Sequence, residues 1–359
     1  MGAHRRGRLL ARHLLALAAI AVPLAAGAGP AAPDSQQRGL ALLARASLIG
    51  DLRSVDSPPF RLRARVRVSN PGTVALDGEY ALSFAAPDRW SVRLAFPGHA
   101  ESRGAWEGMQ WRKRDNVERP YRFEETFRLL DIGSHLGLAP EATIREVLER
   151  NVGARHQLCA TITPAKEIWQ RVGNWGAQPP DPARLGDSSY DLCFDGDTGM
   201  LVEARYEPPL PRLTFEGVVT LSNKAFPNTL RCWEGDDVAV EASVVELAPA
   251  DAEDLGAATP PTGAESWPAC AEPVPPRLVE RPAAPRALRA LGQRRLRTAT
   301  FFAEVGRDGV LNGLTPLGPI APAHADLVRA ALAAWRYQPA TCNGVPVPMV
   351  LYLTVPLRR

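Results

Sequence analysis

Between Phe60 and Val68 the chain alternates strictly: Phe60, Leu62, Ala64, Val66 and Val68 are apolar, while Arg61, Arg63, Arg65 and Arg67 are basic. Side chains of an extended strand point to opposite faces with period two, so this run is a strand with one apolar and one cationic face. Such a strand must sit in a sheet that is covered on one side only. The alternation returns at residues 78–84 and 90–96, and Asn70-Pro71-Gly72 and Pro87-Asp88 between the runs read as turns. Successive strands at this spacing make an antiparallel meander, which Trp106, Met109 and Trp111 continue.

Helical spacing precedes and interrupts the strands. Leu40, Leu42, Leu43, Ala46 and Leu48 make residues 36–52 an amphipathic helix, ended by Asp56 and the Pro58-Pro59 pair. After Arg112-Lys113-Arg114, one helix is expected around Phe123, Phe127, Leu129 and Leu130. A second is expected around Ile144, Val147 and Leu148, opened by Pro140-Glu141-Ala142. Strand signals resume at 158–162, 190–194, 201–206, 213–221 and 238–247, with a glycine-containing hairpin turn at 195–199. Residues 35–255 therefore read as one large antiparallel sheet with a helical insertion, the helices hiding its apolar face.

The order of Gly78-Glu79-Tyr80-Ala81-Leu82, Pro87-Asp88-Arg89-Trp90, Trp111-Arg112-Lys113-Arg114 and the run from Phe194-Asp195 to Leu201-Val202 resembles the LolA-like lipoprotein-carrier superfamily of half-barrels. That resemblance implies an apolar concave face able to bind acyl chains or lipoproteins.

At the N-terminus, Arg5, Arg6, Arg8 and Arg12 precede an apolar run at 14–24 and the small-residue site Ala26-Gly27-Ala28, so residues 1–28 are expected to be a cleaved secretion signal. Membrane contact is expected only if that segment stays uncleaved, and the expected location is the periplasm. An exported chain meets an oxidising compartment, so its 5 cysteines are read as a disulfide set. Cys159 and Cys193 lie in neighbouring strand-like runs, Cys270 and Cys342 bracket the C-terminal module, and Cys232 is left as a buried thiol. Residues 256–285 carry eight prolines, from Pro260 to Pro285, and read as an extended linker pinned near Trp267 and Cys270.

Residues 286–359 form a separate pattern: a short helix at 287–291, an alternating strand at 298–305, a turn at Arg307-Asp308-Gly309, and an amphipathic helix at 323–337. Pro339 stops that helix, Asn343-Gly344 turns the chain, and a last alternating strand follows. The motif residues Asp308, Gly309, Trp335, Arg336, Tyr337, Pro339, Ala340, Asn343 and Gly344 resemble the TonB C-terminal domain family, a small α+β module of envelope energy transducers. The resemblance implies that the terminal strand, at Met349, Val350, Leu351, Tyr352, Leu353, Thr354 and Val355, docks an extended partner segment by β-augmentation. The expected fold class is thus α+β, a large LolA-like antiparallel half-barrel with helices followed by a small TonB-like domain.

The expected function is a non-enzymatic periplasmic adaptor that docks another envelope protein, an outer-membrane receptor being one such partner. The alternative is a lipid or lipoprotein carrier. A net charge of +3 gives no field that selects nucleic acid. His99, His135, His156 and His324 stand apart from any Ser or Cys nucleophile motif. Glu124-Glu125 and Asp236-Asp237 are adjacent pairs that do not converge, and no phosphate-binding glycine loop or metal-ligand spacing occurs. No catalytic residue, cofactor or metal is therefore expected. Trp335 and Tyr337 read as core residues, and the arginine faces at 61–67 and 286–297 as solvated or partner-facing.

Overall fold

A computed structural model describes residues 33–69, 74–115, 122–137, 142–163, 189–206, 212–269, 273–282, 298–317 and 320–356, which fall within one compact unit. The proposed signal segment, the 287–291 helix, the arginine cluster of 286–297, the Asn70-Pro71-Gly72 turn and Cys270 lie outside the described residues. The strands are β1 (Phe60–Val68), β2 (Leu76–Ala86), β3 (Arg89–Phe96), β4 (His99–Trp106), β5 (Met109–Arg114), β6 (Thr143–Val152), β7 (Arg155–Thr163), β8 (Tyr190–Asp195), β9 (Leu201–Arg205), β10 (Arg212–Glu216), β11 (Val219–Leu221), β12 (Lys224–Phe226), β13 (Thr229–Glu234), β14 (Asp237–Pro249), β15 (Glu265–Pro268), β16 (Arg277–Glu280), β17 (Thr298–Val305), β18 (Leu311–Leu317), β19 (Arg336–Gln338), β20 (Ala340–Cys342), β21 (Val345–Val347) and β22 (Met349–Pro356). The helices are α1 (Pro33–Gly50), α2 (Phe123–Leu130), α3 (Ile132–Leu136), α4 (Ala252–Gly256) and α5 (Pro322–Ala333).

Thirteen of the strands form one antiparallel sheet in the order β15-β5-β4-β3-β2-β1-β14-β13-β10-β9-β8-β7-β6. The meander expected from residue 60 onward is its first half, and β1 lies beside β14, which returns from the far side of the sequence. Period two does what it predicts in β1: Phe60, Leu62, Ala64, Val66 and Val68 are buried, and the arginines face outward. Tight connections hold the hairpins, as at Glu107 and Gly108, both with positive φ, where the turn twist matches that of the strands.

The apolar inner face is covered by helices, as the sequence demands. Leu43 and Ala46 of α1, Phe123, Phe127, Leu129 and Leu130 of α2, and Ile132 and Leu136 of α3 share one core with β1 to β3, β7 and β8. Burial at about 25 cal/mol per Å² of apolar surface is what drives this cover onto the sheet.

One expected helix is a strand. Ile144, Val147 and Leu148 belong to β6, which pairs with β7. The register of that pair shifts between Ile144 and Glu146, so a bulge inserts a residue and brings Val147 back to the side of Ile144. A bulged strand thereby mimics the three-residue spacing of a helix. Ile144 is buried and Val147 packs on the core, while Leu148 is exposed. The helix of the terminal module is also shorter than expected, because α5 ends at Ala333 and Tyr337 lies in β19.

The proline-rich stretch does not run free where it is described. Glu265–Pro268 adds to the main sheet as β15, against β5, and Arg277–Glu280 pairs as β16 with β19 of the terminal module. The terminal module has its own core of Phe301, Ala303, Val305, Val328, Leu332, Trp335, Tyr337, Leu351 and Leu353, and a three-stranded sheet in the order β18-β17-β22. Buried Glu304 of β17 accepts hydrogen bonds from Arg112 and Arg114 of β5, so a charged contact joins this module to the edge of the large sheet.

Candidate functional site

A cavity of about 130 Å³ lies between the inner face of the sheet and the helices. Tyr80, Leu82, Trp90 and Val92 floor it, Phe127, Leu130 and Ile132 roof it, and the end of α1 with Phe226 closes one side. Apolar packing alone does not hold the roof. Arg103 of β4 reaches up to Glu124 in the first turn of α2 and also to Glu101 beside it, with its guanidinium 3.9 Å from the Phe127 ring centre. Arg53, following α1, pairs with Asp131 between α2 and α3 and lies 4.7 Å over the Trp90 ring. Buried Arg122, at the start of α2, pairs with Glu234 of β13.

At the far end of the roof His135 bridges two groups, Nδ1 at 2.8 Å from the Tyr206 hydroxyl and Nε2 at 2.8 Å from the Arg128 carbonyl oxygen. Burial, reinforced by the charge of Arg128, holds its pKa down to about 4, so the imidazole is neutral at ordinary pH. On the other flank, buried Lys224 donates to the Leu48 carbonyl and to Ser54 Oγ at 2.8 Å each and reaches Asp56 at 3.2 Å, anchoring the exit of α1. The helical roof is therefore an apolar plug with polar fastenings at its rim.

Sequence reading isolates His135 and the Glu124-Glu125 pair but assigns them no partners. The structure joins His135 to Tyr206 and Glu124 to Arg103. Arg103 and Glu101 share the inner parity of β4, opposite Val92 and Leu94 of β3. Arg112 and Arg114 of β5 continue the same parity, so a charged patch at the β4–β5 end of an apolar face is the signal that could have marked this rim, but only once the strand register is known.

The residues expected from the terminal-module motif sit together. Gly309 has φ 77°, and a Cβ there would stand 1.9 Å from the Tyr337 carbonyl oxygen, so only glycine fits. Tyr337 N–H donates to the Gly309 carbonyl at 2.9 Å, and Asp308 Oδ1 accepts from Val310 N–H at 3.0 Å. Trp335, Tyr337 and Ala340 are buried, Arg336 is exposed and caps the carbonyls of Ala333 and Trp335, and Pro339 separates β19 from β20. Asn343 and Gly344 both have positive φ in the β20–β21 turn. Met349, Val350, Leu351, Tyr352, Leu353, Thr354 and Val355 run along β22, with Leu351 and Leu353 buried. This strand pairs with β17 on one side and, among the described residues, has no strand on the other.

Cys159 and Cys193, opposite each other on β7 and β8, form a disulfide. Cys342 is buried with Sγ 3.7 Å from the carbonyl oxygen of Ala269, the neighbour of Cys270. Cys232 is a buried thiol whose pKa burial pushes up to about 12. Among the described residues no group of three or more His, Cys, Asp or Glu is placed to hold a metal ion, and no helix is long and apolar enough to cross a membrane.

No protein-family model matches the chain, so the TonB-like reading of residues 286–359 gains no support there. No curated protein matches either. Among solved structures the chain is similar to a LolA superfamily protein from Nitrosomonas europaea, at 9% identity and a TM-score of 0.37 over 60% of this chain and 94% of that one. A DUF1329 family protein from Desulfovibrio piger aligns at 12% identity and a TM-score of 0.39, over 61% and 94%. A putative outer membrane lipoprotein-sorting protein domain from Vibrio parahaemolyticus aligns at 11% identity and 0.39, over 62% and 97%. TM-scores below 0.5 do not establish a common fold. The mostly antiparallel sheet with few helices rests on the strand pairing itself.

Proposed function

We propose that the protein is a periplasmic carrier that binds an acyl chain, of a lipid or of a lipid-modified protein, between the inner face of the large sheet and the α2–α3 roof. One observation carries this reading: an apolar sheet face is roofed by a short helical pair whose rim is fastened by exchangeable ion pairs and hydrogen bonds. The space of about 130 Å³ is below the roughly 300–1,000 Å³ of ligand pockets and close to the cavity of about 150 Å³ that holds benzene. An acyl chain therefore enters only by lifting the roof, and Arg53 and Arg103 at the rim offer its anionic head a partner in place of Asp131 and Glu124. The Cys159–Cys193 disulfide suits the oxidising compartment in which such a carrier works.

Delipidated protein titrated with a fluorescent fatty acid tests this. The expected result is saturable uptake at micromolar affinity, weakened at least tenfold by Val92→Trp, which fills the floor of the cavity. Absence of uptake by both the delipidated wild type and a roof-loosened Glu124→Gln variant overturns it.

A second reading keeps the terminal module as a docking device, because β22 is paired on one side only among the described residues. An extended segment of an outer-membrane receptor would add to that edge, its main-chain groups completing the ladder. Hydrogen exchange of the full chain with receptor-derived peptides checks it: added protection at residues 349–355 is expected, and unchanged exchange there removes the reading.

A further inference from the structure

The opposite face of the sheet holds a second cavity, of about 540 Å³, which lies within the usual ligand range. Its floor is written in the strand register. Ser83 of β2, Ser91 of β3, Gly104 of β4 and Trp111 of β5 follow one another across four strands, and Arg93 and Ser102 stand side by side in the adjacent row. Strands are about 4.8 Å apart, so these groups form a trough with a polar group on most rungs. Small residues keep the floor low. Gly104 is required there, since a Cβ would meet the Trp111 ring at 2.5 Å. The segment 251–261, which includes α4, forms the far wall and is tied down by Arg61, whose guanidinium donates to Asp251 at 2.8 Å and to Asp254 at 3.0 Å.

One group lining this trough lacks a partner among the described residues. Trp111 is 2% exposed and its Nε1–H is buried with no acceptor among the described residues. A buried donor left unsatisfied costs about 1–3 kcal/mol, so an acceptor brought by a ligand is rewarded.

The lining identifies the ligand class. Three arginines (Arg61, Arg63, Arg93) face three acids (Asp251, Glu253, Asp254), so the cavity has no net formal charge to select an anion. An apolar ligand would strip water from the serine hydroxyls and return nothing. An extended peptide cannot add here by strand pairing, because β2, β3 and β4 lie inside the sheet with both edges occupied. A neutral, hydroxyl-rich molecule supplies both donors and acceptors along the rungs, next to the buried Trp111.

We propose that the outer face of the sheet, between β2–β5 and the 251–261 segment, is a binding site for a neutral saccharide. It is independent of the acyl-chain reading, which uses the inner face. The chain has 8 tryptophans, so a proton–nitrogen correlation spectrum resolves their indole N–H signals, and Trp111→Phe identifies that of Trp111. Titration with maltotetraose and with chitotetraose is expected to move the Trp111 signal saturably with at least one of them, leaving the Trp90 signal of the inner cavity in place. Ser91→Ala combined with Ser102→Ala should weaken that binding at least tenfold, and Ser102→Gln, which plugs the trough, should abolish it while the remaining spectrum stays folded. A Trp111 signal that neither oligosaccharide moves, or that inorganic phosphate alone moves, overturns the proposal.

Discussion

Arg103 in β4 holds Glu124 in the first turn of α2 through two parallel hydrogen bonds, the Nη1 to Oε1 arm being 3.0 Å long. A fork of this kind fixes orientation as well as distance, so it sets where the helical roof sits on the sheet. The same guanidinium leans on Glu101, which is wholly buried and is shared with Arg114. The fastening of the roof and the charged contact to Glu304 of the terminal module thus run through one chain of residues.

Loosening that fork has a measurable cost. Glu124→Gln leaves Arg103 with Glu101 but removes a charged partner that is 12% exposed, so a loss of about 1.5–3 kcal/mol in urea unfolding is expected. A double-mutant cycle with Arg103→Met should return a coupling of at least about 1 kcal/mol. Additive losses would show that the fork does not fasten the roof.

Acid should weaken the protein through His135 before the carboxylates respond. The unfolded histidine takes up a proton near its ordinary value of 6.5, whereas the folded one resists down to about 4, because burial disfavours the imidazolium. The unfolded state therefore binds more protons in that window. Stability is full above pH 6.5 and falls as pH drops toward 4, by about 3 kcal/mol in all. His135→Gln should flatten this part of the stability curve, measured by chemical denaturation from pH 7 to 4.5; an unchanged slope refutes the assignment.

Non-reducing peptide mapping should recover Cys159 linked to Cys193 and Cys270 linked to Cys342, with Cys232 alkylated only after denaturation. The first bridge closes a separation of 34 residues, so Cys159→Ser with Cys193→Ser should cost about 3–4 kcal/mol. Alkylation of Cys342 in the native oxidised protein would exclude the second bridge.

Much of the architecture could be read directly from residue order. The arginine alternation of β1 can be satisfied only by a sheet with one covered face, and the apolar spacing of Phe123, Phe127 and Leu130 supplies a cover. The glycine of the Asp308-Gly309 turn is equally local, since its positive φ is costly for any other residue. At Ile144 the same kind of reading fails, because a bulge against β7 changes the side-chain parity and no local pattern records a partner strand.

Alternation and propensity along the chain determined that there is a one-sided antiparallel sheet, that helices hide it, and that Cys159 and Cys193 lie in two strand-like runs. The tertiary structure alone decided which charges meet: Arg103 with Glu124, Arg53 with Asp131, Arg112 with Glu304, and His135 with Tyr206. Secondary-structure periodicity acts over a few residues and is visible in order. Ion pairs and hydrogen bonds join groups tens to nearly two hundred positions apart, and only the packed register brings them within reach.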